Sequence, residues 1–133
     1  MRRALPLALA ALMPVSLMAQ GIELEPGFES EAEIDRVVES DGAVLRGLDK
    51  MTGHVTDIEI ARGQTLSLGR LEITLGECRY PANNPSGNAY AYLVIREPNT
   101  DSPSFAGWMI AAAPALNALE HPRYDIWVMR CNI

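Results

Sequence analysis

The chain has 133 residues, a hydrophobic fraction of 48% and a formal net charge of -6, which suits one small globular domain and leaves no room for two sizeable cores. Lysine occurs once, at Lys50, and the arginines are scattered, so there is neither a nucleic-acid footprint nor a basic membrane patch. The two cysteines, Cys78 and Cys131, lack the C-x-x-C spacing of a redox site.

Met1, Arg2 and Arg3 form a charged start, Ala4 to Val15 an apolar run, and Leu17-Met18-Ala19 a cleavage site, so residues 1–19 read as a signal peptide. The run is too short for the ~20 residues of a membrane span and is broken by Pro6 and Pro14. The mature protein is therefore expected to be exported and periplasmic, with no span of its own. Residues 20–41 hold eight acids against the single base Arg36, the composition of a flexible acidic leader. From Gly42 to Ile133 nine acids face eight bases, and this part is expected to be one β domain.

Ala43 to Asp49 and Val55 to Ile60 read as a hairpin around Lys50-Met51-Thr52-Gly53, with Thr56, Ile58 and Ile60 on one face and Asp57 and Glu59 on the other. After the turn Arg62-Gly63-Gln64, Leu66 and Leu68 alternate with polar neighbours. Gly69-Arg70 turns, and Leu71, Ile73 and Leu75 continue the alternation towards Cys78 and Tyr80. Pro81 to Asn88 is a loop by composition. Ala89 to Arg96 is nearly continuously apolar, as a central strand covered on both faces would be. A second loop, Glu97 to Pro103, precedes a strand over Phe105 to Ala112. Pro114 then opens a helical turn reaching Leu119, and Pro122 forbids its continuation. The last strand, Tyr124 to Cys131, should put Tyr124, Ile126 and Val128 on one face and Trp127, Met129 and Cys131 on the other. The fold class is all-β: a small antiparallel sandwich or partly open barrel, with one short helical turn before the last strand.

Cys78 and Cys131 each end a strand, and in an exported chain they most simply form one disulfide. The cysteines with His54 and His121 lack the close ligand pairs of structural zinc, so no metal is expected. Ser104, His121 and Asp125 can be named as a triad, but no Gly-x-Ser-x-Gly elbow surrounds a serine, and neither a catalytic residue nor a cofactor site is assigned. His121, at the end of the expected turn, is placed to bond the last carbonyls. Leu116 and Leu119, three apart, should share one face and plug an open end of the core beside Trp108 or Trp127. Trp108, Trp127, Tyr90, Tyr92 and Tyr124 would either fill the core or, on an exposed face, stack on sugars or anchor a protein. Asp125 would be a polar handle for Tyr124 or for a neighbouring turn.

Leu48 to Val55 (LDKMTGHV), Cys78 after LEITLGE, Ala106 to Met109 (AGWM) and Pro114 to Cys131 (PALNALEHPRYDIWVMRC) resemble an exported bacterial family catalogued as domain of unknown function 2155. The resemblance implies no assigned activity and carries over no catalytic residue. It also implies an association with accessory components of the respiratory NADH dehydrogenase. A cellulase-like label borne by some members finds no support in these residues. The expected function is a non-enzymatic periplasmic interaction or accessory module whose partner is a protein, on the outer face of an inner-membrane respiratory complex. The alternatives are a carbohydrate-binding module using the aromatics and, third, a hydrolase.

Overall fold

The computed structural model describes residues 36–133; the expected signal peptide, and the leader up to residue 35, lie outside the described residues. Eight strands follow in chain order: β1 (Val37–Ser40), β2 (Gly42–Asp49), β3 (His54–Ala61), β4 (Thr65–Leu68), β5 (Leu71–Pro81), β6 (Tyr90–Arg96), β7 (Phe105–Ile110) and β8 (Tyr124–Asn132). They form two antiparallel sheets rather than a closed barrel. One has the order β1-β5-β6-β7 with β4 also on β5, and the other has the order β3-β2-β8. A 3₁₀ turn at Pro114–Leu116 is the only helical piece among the described residues, and none of their helices is long and apolar enough to cross a membrane.

The sheet begins earlier than the composition suggests, because Val37 to Ser40, counted in the acidic leader, pair with Pro81 to Cys78. Two adjacent β-branched valines outweigh the surrounding charge there. The chain then crosses between sheets at Asp41. Ser40 Oγ donates to the Gly42 carbonyl at 2.6 Å, and the Arg62 N–H donates to the Asp41 carbonyl at 2.8 Å. A Cβ on Gly42 would lie 2.5 Å from the Ile60 carbonyl oxygen, so this crossing accepts only glycine.

The core is drawn from both sheets: Leu45 and Ile60 from one, and Leu71, Ile73, Leu75, Leu93 and Ile95 from the other, are all under 2% exposed. Each such side chain contributes roughly 1.5–3 kcal/mol relative to exposure. β6 is central in its sheet, yet only Ala91, Leu93 and Ile95 are buried; Tyr90, Tyr92 and Val94 are half-buried on the other face. The double cover expected for this strand is thus single, since no described element packs over its outer side.

Two β-bulges decide which way the cysteines point. Strict alternation from Leu71 would turn Cys78 outward, and strict alternation from Tyr124 would turn Cys131 outward. On β5, however, Leu75 pairs with Leu93 and Glu77 with Tyr92, leaving Gly76 as an extra residue. On β8, Val128 pairs with Leu45 and Arg130 with Val44, leaving Met129 as the extra one. Each bulge shifts the alternation by one residue. Cys78 and Cys131 therefore both enter the core, 0% and 3% exposed, and form a disulfide with Cα atoms 5.7 Å apart. This corrects the expectation that Cys131 shares a face with Trp127.

The helical plug is also corrected. The 3₁₀ turn stops at Leu116, and Asn117 is extended (φ -151°, ψ 95°). Leu116 and Leu119 consequently share no helical face. Leu119 is 5% exposed and belongs to the core, whereas Leu116 is 75% exposed. Pro114 does sit at the start of the turn. The prolines bound the segment as expected, but Pro122 stands well past a helix that has already ended.

Candidate interaction surface

The outer face of the five-stranded sheet carries an organised aromatic cluster. Tyr92 on β6 pairs with Trp108 on β7, and their rings meet edge to face, centroids 5.5 Å apart at 72°. The Arg79 guanidinium on β5 lies 5.2 Å from the centre of the Trp108 ring. Glu77 holds that guanidinium through two hydrogen bonds, 3.0 Å to Nε and 3.1 Å to Nη2. The bulge at Gly76 makes this possible, because the shift that turns Cys78 inward turns Glu77 and Arg79 outward. A side chain at Gly76 would press on Tyr92, with a Cβ 3.0 Å from Cδ1.

Val37 of β1, 46% exposed, completes a shallow depression of about 230 Å³ with Arg79, Tyr90 and Trp108. On the far side, Asn117 Nδ2 donates to the Trp108 carbonyl at 2.9 Å and fastens the segment after the 3₁₀ turn to the edge of β7. The aromatic pair contributes about 0.5–1.5 kcal/mol and the cation–π contact about 0.5–1 kcal/mol at an exposed position. These amounts offset part of the rotamer entropy lost in ordering the three side chains and so favour this arrangement before anything binds.

The cluster forms a corner and not a flat platform. Arg79 covers part of one Trp108 face, and Tyr92 presents itself at a steep angle. Trp127 is elsewhere: it pairs with Arg46 on the outer face of the other sheet. The two half-buried tryptophans therefore cannot line one sugar-stacking surface. Beside Trp127, Arg46 bonds Asp57 through Nε at 2.7 Å and Nη2 at 2.9 Å, which holds the Asp57 carboxyl below its ordinary pKa and raises that of Arg46.

The remaining expected residues gather at the other end of the domain. Tyr124 is buried, and its hydroxyl accepts the Arg70 N–H at 3.3 Å. Gly69, with φ +55°, lets the β4–β5 turn lie directly on that hydroxyl. His121 does not bond helix carbonyls, as no helix reaches it. Its Nδ1 accepts the N–H groups of Arg123 and Tyr124 at 3.0 and 3.1 Å. Nε2 therefore carries the ring proton and donates to Glu97 Oε1 at 2.6 Å. Asp125 lies 3.7 Å from Lys50, whose own Nζ donates to the His121 carbonyl. Arg123 bonds Asp49 Oδ2 at 3.0 Å through Nη2. That hydrogen bond, with those from the Met51 and Thr52 N–H groups, lowers the Asp49 pKa against the opposing effect of desolvation.

Ser104, His121 and Glu97 line one open cleft of about 470 Å³, without Asp125. Both ring nitrogens of His121 are engaged, so neither is offered to Ser104. No cluster of three or more metal-ligating side chains occurs among the described residues. The arrangement thus anchors the start of β8 to the Glu97 loop and to the β2–β3 hairpin. Sequence reasoning missed Arg79, Glu77 and Val37. The available signal was Gly76, one residue that breaks the alternation between Leu75 and Cys78.

A family model described as "Uncharacterized protein conserved in bacteria (DUF2155)" matches residues 43–131, and the chain belongs to this family. An uncharacterized protein of Rickettsia prowazekii (strain Madrid E) is 28% identical over 87 residues, covering 63% of this chain and 56% of that protein. The chain thus spans little more than half the length of this curated relative. No solved structure matches the chain.

Proposed function

We propose that this member of the domain of unknown function 2155 family is a non-enzymatic accessory module of the periplasm that docks on a partner protein through the outer face of β5, β6 and β7. The observation that carries this reading is the corner made by Arg79, Tyr92 and Trp108, half-exposed and already held in place. Tryptophan, tyrosine and arginine are the side chains that concentrate binding energy at protein interfaces, and fixing them beforehand lowers the entropic cost of association. The disulfide supports an oxidising compartment. The resemblance drawn from the sequence supports a finer reading, in which the partner is a component exposed on the outer face of the inner-membrane NADH dehydrogenase.

Purification of a tagged protein from solubilised inner membranes tests this reading. The wild type should co-purify with subunits of the NADH dehydrogenase, and Trp108→Ala and Arg79→Ala, each folded with its disulfide formed, should not. A protein found only free in the periplasm, or co-purification untouched by either variant, would overturn it.

A further inference from the structure

β3 is an edge strand, and among the described residues no strand pairs along its outer edge. Hydrogen-bonding direction alternates along an antiparallel pair, and the bond from the Arg62 N–H to the Asp41 carbonyl sets its phase. His54, Thr56, Ile58 and Ile60 face β2 with their backbone groups. The N–H and C=O groups of Val55, Asp57 and Glu59 point away. All three residues are exposed, and no described strand lies on the side of β3 away from β2. The open row ends at Ala61, whose N–H donates to Gln64 Oε1 at 2.9 Å.

We infer that this edge accepts an extended segment of a partner protein as an added strand, one with Lys or Arg at alternate positions. Asp57 and Glu59 are two residues apart and so project from the same outer face. Asp57 is tied to Arg46 and also feels the charge of Arg130, which lies across Val44 from Glu59, while Glu59 forms no ion pair among the described residues. Basic residues two apart on an incoming strand would lie opposite both carboxylates. An apolar residue between them would point to the inner side, beside half-buried Ile58. A second copy of the chain is disfavoured as occupant, since pairing β3 with itself brings Asp57 and Glu59 against like charges in its central registers. The edge lies on the sheet that does not contain Trp108, so the inference stands apart from the proposed docking face.

The test uses a synthetic peptide of about ten alternating Lys and Val residues, a Glu/Val counterpart, and a peptide of the first composition with its lysines in one block. Binding is measured together with amide hydrogen exchange. The alternating Lys peptide should slow exchange at Val55, Asp57 and Glu59, and the other two should not. Glu59→Lys should weaken its binding about fivefold or more. Glu59→Pro, which removes an outward-facing N–H together with the carboxylate, should abolish binding while the disulfide and the fold persist. Trp108→Ala should leave it unchanged. Equal binding of the alternating and blocked lysine peptides, protection outside β3, or no binding at all would overturn the inference.

Discussion

Replacing both Cys78 and Cys131 by alanine should remove a large share of the domain's stability. The two positions are separated by 53 residues, and the chain-entropy relation for a loop of that size gives ~4 kcal/mol of denatured-state destabilisation by the crosslink. A domain of this size has about 5–15 kcal/mol in total. The double variant avoids leaving one buried thiol without its partner and changes little packing volume, so the loss of the crosslink dominates. At about 4–8 °C per kcal/mol, the melting temperature should fall by roughly 15–30 °C. Urea titration of oxidised wild type, reduced wild type and the double variant measures the effect directly, and the last two should nearly coincide. A loss below about 1 kcal/mol would refute the reasoning, because two bulges would then serve a bond of no consequence.

Leu119→Ala should destabilise by about 2–5 kcal/mol, whereas Leu116→Ala should stay within about 0.5 kcal/mol; parallel urea titrations decide, and equal losses would contradict the burial difference. Asp49 and Asp57 have depressed folded pKa values through their hydrogen bonds to Arg123 and Arg46. Their contribution is therefore present above the unfolded pKa near 4 and is lost as pH falls through the folded values. Stability followed by urea titration between about pH 6 and pH 2 should drop in the acid range. The drop should be shallower for the Asp49→Asn, Asp57→Asn double variant.

The strands from Gly42 onward were legible because alternation and turn residues act locally: Gly53, Gly63 and Gly69 all take positive φ at the turns read from composition. β1 was obscured by its acidic surroundings, although Val37-Val38 is a strand-like pair. The cysteine pairing was legible from the count and from the expected signal peptide, but its geometry was not, since a bulge becomes definite only against the register of the neighbouring strand. The helical turn was over-extended for a related reason. Leu116 and Leu119 have helical spacing, but Leu119 is drawn into the core while Asn117 bonds the Trp108 carbonyl, and these tertiary contacts prevail over three residues of propensity. The aromatic corner depends on residues from three strands, and no single segment reveals it.

Site-specific photo-crosslinking in isolated inner membranes tests the docking face most directly. A photoreactive side chain at Ala106, an exposed position beside the corner on β7, is compared with one at Met51, 75% exposed at the tip of the β2–β3 hairpin. A discrete crosslinked product should form from Ala106, be absent from Met51, and disappear when Trp108→Ala is added. No product from either position, or equal products from both, would contradict a docking surface centred on Trp108.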